Sequence, residues 1–314
     1  MEEQTFLNLL EDLTGRVAIV TGGGGGIGLE ASIYLARKGA TVYVASRNKE
    51  KSEAAIKEAE ERLDGKGGPI RFLALNLSSI RDVQQSAQEF LKLESRLDLL
   101  ICNAGVALAY RDELSPDGYE RTFATNHLGH FVLVTTLLDL VKQTARAHGD
   151  ARIVVVSSIG LKGASKIDYS RLQTRVANDG KSVKDLGPAM MSYFRSKLMN
   201  AYFAAELGRR LREEGVHNVY WNVTTTDLVS SHGQQHPVPM VVQNCLRKTI
   251  GLFTNSAQDS ARCEVFLAAS KEVADKDING EYWEPTWSWS QRYTGCKVIK
   301  NVTPLAVNVE EQKK

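Results

Sequence analysis

The 314-residue sequence has only four cysteines, at positions 102, 245, 263 and 296, and none of them forms a CxxC pair. Their scatter predicts reduced cysteines and a cytoplasmic protein. No apolar run reaches the length of a membrane span, and residues 1–10 carry two glutamates without the basic start of a secretory signal. The net charge of only +2 gives no electrostatic basis for binding nucleic acid.

The hydrophobic content of 43% is enough for one substantial core. Apolar, strand-like runs alternate with helical patterns from Arg16 to about Tyr220. This alternation predicts right-handed crossovers and a Rossmann-type, doubly wound parallel sheet of the α/β class. We expect an N-terminal extension over residues 1–12, a single domain over 13–296 and a loose tail over 297–314.

A glycine-rich segment follows the first strand-like run. Arg16–Val20 reads RVAIV, Thr21–Gly28 reads TGGGGGIG, and Ile27–Lys38 has a helical pattern. In this context, glycines let the backbone approach a pyrophosphate and the helix N-terminus faces the anion with unpaired N–H groups. The spacing is Thr-Gly-x3-Gly-x-Gly and not GxGxxG, and a glycine loop without a ligand is the alternative. We predict a dinucleotide site that uses Gly22, Gly26, Ile27 and Gly28.

The end of the second strand-like run indicates which dinucleotide is bound. Thr41–Ala45 reads TVYVA and is followed by Ser46 and Arg47. An NAD site usually has an acidic residue here to take the ribose hydroxyls, whereas an arginine suits a 2′-phosphate. The sequence therefore favours NADP(H), and a solvated loop arginine is the alternative.

The segment Tyr193–Lys197 reads YFRSK and places a phenol and an ammonium four residues apart. On a helix, this spacing puts both side chains on one face. A free tyrosine titrates near about pH 10, and a neighbouring ammonium lowers that value by stabilising the phenolate. Together with a nucleotide site, the pair predicts hydride transfer with Tyr193 as the acid or base.

These motifs, taken in order, resemble the short-chain dehydrogenase/reductase family over about Leu13 to Glu284. Four further landmarks carry the resemblance: Asn76-Leu77, Asn103-Ala104-Gly105, NHLGHF at Asn126–Phe131, and Ser157-Ser158 after the strand-like run RIVVV. Of these, NHLGHF looks like the motif of the retinol-dehydrogenase-like branch.

The resemblance implies a role for each matching residue. Tyr193 is expected to exchange the proton with the carbonyl oxygen, and Ser158 to donate a hydrogen bond to the same oxygen. Lys197 is expected to hold a ribose hydroxyl, and Asn126 a water chain that returns the proton from bulk solvent. Further cofactor contacts are expected from Asn76, Leu77, Asn103, Ala104, Gly105 and Thr226.

The expected reaction is NADPH-dependent interconversion of a ketone or aldehyde with an alcohol on a small hydrophobic molecule. A retinoid, a steroid or a polycyclic natural product of secondary metabolism would fit the NHLGHF match and the apolar segment after residue 230. We expect no metal, because Gly233 and Pro237 favour a loop around His232 and His236. The resemblance leaves a homodimer and a homotetramer open.

Two departures from the family pattern bear on the substrate. Leu161–Met190 is a long connection before Tyr193, and long loops in compact domains often form lids. Val219–Ser231 lacks the Pro-Gly turn that the family has after its sixth strand, and we expect the altered turn at Asn222–Asp227 and a substrate lid over about 224–256. This change keeps two alternatives open, which are a non-redox step such as a cyclisation and a cofactor-sensing regulator without turnover.

Overall fold

Eight strands form one sheet in a computed structural model that describes residues 3–107, 114–164, 166–173, 186–226, 256–285 and 296–298. They are β1 Val17–Thr21, β2 Thr41–Ser46, β3 Ile70–Ala74, β4 Leu99–Cys102, β5 Ala151–Ser158, β6 Val219–Thr226, β7 Tyr282–Pro285 and β8 Cys296–Val298. The order is β3-β2-β1-β4-β5-β6-β7-β8, with β1 to β7 parallel and β8 antiparallel to β7. The predicted doubly wound parallel sheet is confirmed, and an antiparallel edge strand extends it just past residue 296.

The described helices cover both faces of the sheet. They are α1 Glu3–Leu7, α2 Gly26–Arg37, α3 Lys49–Leu63, α4 Ile80–Leu93, α5 Arg121–Phe123, α6 Gly129–His148, α7 Leu186–Glu213, α8 Ala257–Ala269 and α9 Lys271–Asp275. A π-helical turn, Ala124–Leu128, joins α5 to α6, and 3-10 turns occupy Ile159–Gly163 and Tyr169–Arg171. One core lies under α2, α3 and α8, and the other under α4, α6 and α7.

Strand β1 illustrates how a parallel sheet is buried on both faces. Val17 and Ile19 belong to the core under α4, α6 and α7, whereas Ala18 and Val20 belong to the opposite core. Successive side chains of a strand point to opposite faces, so a continuous apolar run is required when helices cover both. The sheet therefore holds its carboxyl edge rigidly, and the loops after β1, β2, β4 and β5 meet there.

The structure corrects two of the sequence-based expectations. The connection Leu161–Met190 is not all loop, because α7 already begins at Leu186, while residues 174–185 lie outside the described residues. Asn222 is not at a strand end but in the middle of β6, which continues through Thr226. Its side-chain amide donates to the Ile278 carbonyl oxygen (2.9 Å). The β-branched residues after Asn222 suit a strand. The first three residues of the expected lid, 224–226, thus belong to strand β6, and residues 227–255 lie outside the described residues.

Gly208 lets helix α7 lie directly against Trp221 of β6. A Cβ atom at this position would lie 1.6 Å from Trp221 Cε2, and the Trp221 side chain is itself buried, with 4% exposed. The Arg212 guanidinium covers the other part of the ring, 5.6 Å from its centroid. A larger residue at position 208 would therefore have to displace a buried indole.

Gly208→Ala should lower the free energy of unfolding by about 2 kcal/mol or more, because overpacking outweighs the gain of about 1 kcal/mol in helix propensity. Gly187→Ala on the same helix is the matched control, since a Cβ there meets no atom within 4 Å. Urea titration of both variants is the measurement. Equal stability of the two variants would contradict the packing argument.

Candidate active site

A cleft of about 320 Å³ opens at the carboxyl ends of the strands and brings most of the predicted site residues together. Thirteen of them line it: Gly22, Gly26, Ile27, Gly28, Ser46, Arg47, Asn76, Leu77, Asn103, Ala104, Gly105, Tyr193 and Lys197. Asn126 and Ser158 are buried and are not among the residues that line the cleft. Thr226 ends β6, and its side chain is outside the described residues.

The glycine turn and the start of α2 form one end of the cleft. A Cβ on Gly28 would lie 2.6 Å from Asn103 Nδ2 and from the Gly22 carbonyl oxygen, so only glycine permits this approach. Asn103 Nδ2 also donates to the Thr21 carbonyl oxygen (2.8 Å). Helix α2 has no side-chain hydrogen bond at its N-cap, Gly25. Its first N–H groups therefore face the cleft and suit an anion such as a pyrophosphate.

Two cations stand at the end of β2. Arg47 and Lys51 both line the cleft and both are exposed. The Asn48 side chain accepts a hydrogen bond from Lys51 N (2.7 Å) and so starts α3 directly after the strand. No acidic residue of the described chain lines the cleft. The sequence analysis missed Lys51, which the N-cap signal at Asn48 could have placed one helical turn from Arg47.

The side chain of Asn76 lines the cleft but has local partners. Its Nδ2 donates to Asp82 Oδ2 (2.8 Å), and its Oδ1 accepts from Ser78 Oγ (2.7 Å). These bonds hold the loop between β3 and α4, whose N-cap is Ser79. Asn76 therefore shapes the cleft wall chiefly through a rigid loop.

Tyr193 and Lys197 lie on α7 and line the cleft, and both are buried. Lys197 Nζ is 5.7 Å from the centroid of the Tyr193 ring and donates to the Val156 carbonyl oxygen (3.0 Å). The backbone of Lys197 is held as well, because Ser157 Oγ donates to its carbonyl oxygen (2.7 Å). Strand β5 thus fixes the ammonium beside the phenol on the predicted face of the helix.

Asn126 lies in the π-helical turn and has every polar atom of its side chain bonded. Its Oδ1 accepts from Val106 N (2.7 Å), and its Nδ2 donates to Val106 O (2.9 Å) and to Ser196 Oγ (3.0 Å). A Cβ on Gly105 would lie 3.3 Å from Lys197 Nζ and 3.5 Å from Asn126 Oδ1. The amide and the ammonium therefore converge on Gly105, and π-turns of this kind are frequent at functional sites.

Ser158 ends β5 and is buried beside α7. Its Oγ accepts from Gly160 N (3.2 Å), which leaves its hydroxyl hydrogen able to donate. The next turn is pressed against Phe194, because a Cβ on Gly160 would lie 2.7 Å from that ring. Ser158 is thus positioned by the 3-10 turn that follows it.

Lys197 has an electrostatic partner that the sequence analysis missed. Burial lowers the pKa of Lys197 to about 8, and the charge of Glu264 opposes this shift. Glu264 is fully buried on α8, and both of its carboxyl oxygens lack a hydrogen-bond partner among the described residues. Burial raises its pKa from 4.5 to about 8, with Lys197 opposing the shift. The signal in the sequence that could have indicated Glu264 is an acidic residue on the face of a helix that packs against the sheet.

Glu264→Gln should raise the thermal midpoint more at pH 8 than at pH 5, by a few degrees. The folded protein holds the Glu264 proton more tightly than the unfolded chain does. The stability that this protonation contributes is therefore complete below pH 4.5 and is lost as the pH rises to about 8. Thermal scans at both pH values test this. Glu272→Gln, which removes a surface ion pair with Lys276, is the control. A pH-independent difference for Glu264→Gln would contradict the assignment.

Two further observations concern only the described residues. No group of three or more His, Cys, Asp or Glu side chains is arranged there to hold a metal ion, and the predicted non-ligands His232 and His236 lie outside that part. No helix of the described chain is long and apolar enough to cross a bilayer.

Known proteins resemble this chain over most of its length. The short chain dehydrogenase family model matches residues 16–170. A short chain dehydrogenase/reductase, dpchH, of Colletotrichum higginsianum is 36% identical and aligns over 88% of this chain and 68% of its own. Retinol dehydrogenase 14 of Mus musculus is 33% identical over 86% and 77% of the two chains.

Solved structures share the fold. The Pseudomonas aeruginosa RhlG/NADP active-site complex superposes with a TM-score of 0.61 at 22% identity, covering 86% of this chain and 94% of that one. NADH-dependent reductase A1-R′ complexed with NAD gives a TM-score of 0.60 at 19% identity, over 89% and 96% of the two chains. With its nucleotide cleft and its YxxxK helix, the chain belongs to the short-chain dehydrogenase/reductase family of nicotinamide-dependent oxidoreductases and is retinol-dehydrogenase-like.

Proposed function

We propose that the protein interconverts a carbonyl and an alcohol on a small hydrophobic molecule with NADP(H) as cofactor and Tyr193 as general acid or base. The observation that carries the proposal is the placement of Lys197 beside Tyr193 in the buried part of a cleft whose exposed part presents Arg47 and Lys51. The buried part thus suits proton exchange at a carbonyl, and the exposed part suits a phosphorylated ribose.

The protein side of the reaction is proton exchange at one oxygen atom. Lys197 places a positive charge beside the Tyr193 ring, which favours the phenolate and so makes proton release from the phenol easier. Ser158 has a hydroxyl hydrogen to donate to the same substrate oxygen. Asn126 holds the loop at Val106 through two hydrogen bonds and keeps the wall of the cleft in place. When bound, the reduced nicotinamide supplies the hydride to the carbonyl carbon.

The residues present fit a phosphorylated dinucleotide. The uncapped start of α2 and the close approach at Gly28 suit the pyrophosphate. Arg47 and Lys51 offer two exposed cations where an acidic residue would favour the ribose hydroxyls of NAD. The absence of acidic residues among the described lining of the cleft supports NADP(H) over NAD(H).

An apolar patch beside Tyr193 supports a hydrophobic substrate. Ala107 and Ala189 are buried with Tyr193, and Met190 and Phe194 pack against them. The Phe194 ring is 6.2 Å from that of Tyr193 and edge-on to it. A small apolar carbonyl compound could contact this patch while its oxygen faces the phenol. The similarity to retinol dehydrogenase 14 supports a retinoid or a molecule of similar polarity.

Tyr193→Phe should reduce carbonyl-dependent NADPH consumption by about 100-fold or more, because the general acid is lost. The affinity for NADPH should stay nearly unchanged, since the ring remains. Cofactor fluorescence in one cuvette reports both quantities. The panel of substrates should contain apolar ketones and aldehydes, including a retinoid aldehyde.

Tyr202→Phe is the matched control, because Tyr202 is a buried tyrosine on the same helix that does not line the cleft. It should retain wild-type turnover. Carbonyl reduction that survives in Tyr193→Phe would overturn the assigned acid. A carbonyl-independent conversion of substrate in that variant would favour a non-redox reaction, and cofactor binding without turnover in the wild type would favour a regulator.

Replacing Arg47 and Lys51 together by serine should weaken NADPH binding about 10-fold to 100-fold and leave NADH binding almost unchanged. Charged hydrogen bonds to a phosphate are lost, and NADH carries no 2′-phosphate to make them. Lys49→Ser is the control, because Lys49 lies beside them but does not line the cleft. Titration with both cofactors gives the ratio of affinities. An unchanged ratio would show that the two cations do not select the cofactor.

A further inference from the structure

His130 is a buried histidine at the beginning of α6 whose two ring nitrogens are both bonded. Nδ1 is 3.0 Å from the carbonyl oxygen of Asn126, and Nε2 is 2.8 Å from Thr21 Oγ1. A carbonyl oxygen can only accept, so Nδ1 carries the proton and Nε2 accepts from the threonine hydroxyl. Burial lowers the pKa of His130 to about 4, which keeps this neutral form at physiological pH.

Thr21 continues the chain of bonds into the cofactor cleft. Its Oγ1 accepts from Ala104 N (2.9 Å), and its carbonyl oxygen accepts from Asn103 Nδ2 (2.8 Å). Both of these partners line the cleft, as does Gly22, the next residue after Thr21. The imidazole therefore holds the strand end from which the glycine turn begins.

The other end of the imidazole holds the turn that carries Asn126. From there, Asn126 Nδ2 donates to Ser196 Oγ (3.0 Å), and Ser196 Oγ donates to the Tyr193 carbonyl oxygen (2.7 Å). The π-helical turn leaves the ordinary helical bonding pattern, so its carbonyl groups need partners of their own. A continuous run of hydrogen bonds thus joins the glycine turn to the helix turn of Tyr193 through one histidine.

We propose that His130 is a positioning residue that fixes the turn carrying Asn126 relative to the cofactor-binding glycine turn. His130 does not itself line the cleft. It acts by setting the distance between the residues that hold the cofactor and those that hold Tyr193. The inference rests on the proposed function for its kinetic consequence, whereas the hydrogen-bonded bridge can be tested without turnover.

An apolar residue could fill the same space, so the packing role and the positioning role must be separated. His130→Leu removes both hydrogen bonds. His130→Asn retains an amide N–H near the position of Nδ1 and can restore the bond to the Asn126 carbonyl. Thr144→Val is a matched structural control, because the Thr144 hydroxyl is a buried acceptor for Leu97 N (2.9 Å) on the same helix and has no connection to the cleft.

Kinetics should separate these variants when each is assayed well below its thermal midpoint. His130→Leu should lower kcat about 10-fold to 100-fold, with a smaller change in the KM for the carbonyl substrate. His130→Asn, which keeps the bond to the Asn126 carbonyl but not the bond to Thr21, should recover only part of kcat. Thr144→Val should lose thermal stability but keep kcat. A kcat of His130→Leu within twofold of the wild type, or full recovery of kcat in His130→Asn without the bond to Thr21, would overturn the proposal.

Amide hydrogen exchange tests the bridge independently of catalysis. In His130→Leu, exchange should accelerate both at residues 124–128 and at Ala104, which lie at the two ends of the chain of bonds. Thr144→Val should leave both regions unchanged. Acceleration at only one end, or uniformly along α6, would overturn the bridge. If the wild type consumed no NADPH with any carbonyl but this exchange pattern held, the proposed function would fail and the bridge would stand.

Discussion

The burial of the Lys197 ammonium at the end of β5 is the constraint on which the arrangement of the site depends. Removing a charge from water is costly, and among the described residues this ammonium has one hydrogen bond, to the Val156 carbonyl. The charge of Glu264 on the opposite layer offsets part of the cost. A phenolate at Tyr193 would offset more of it. The site is therefore set up so that a negative charge developing beside Lys197 relieves an existing electrostatic penalty.

Such a site works only if its parts cannot drift, and the hydrogen bonds around Asn126 meet this need. The loop after β4 contributes two partners to the Asn126 amide and helix α7 contributes one, and the amide itself belongs to the π-helical turn. Because all of its side-chain polar atoms are used, moving any one element would leave a buried polar group unsatisfied. The rigidity of the site therefore comes from shared polar partners more than from the apolar core beneath it.

The sequence predicted the sheet, its order of motifs and thirteen of the residues that line the cleft. This succeeded because strand runs such as RVAIV and the four-residue spacing of Tyr193 and Lys197 are local patterns with a local physical meaning. It failed where long-range contacts decide. Asn222 was placed at a turn because its neighbours were compared with a family pattern, whereas its bonds to Ile278 and Glu281 keep it inside β6. Glu264 was missed because its partner is distant in sequence.

The two parts of the cleft obey different physical rules, and this has a consequence for how such a chain can change. Arg47 and Lys51 are exposed, so their charges are screened by water and either can be replaced at little cost to the fold. Lys197 is buried and donates to the Val156 carbonyl of β5, and its charge opposes the rise that burial causes in the pKa of Glu264 on α8. Its replacement would therefore change a buried polar environment. The exposed cations can thus vary independently of the buried ammonium, whereas a change at Lys197 also alters the surroundings of Glu264.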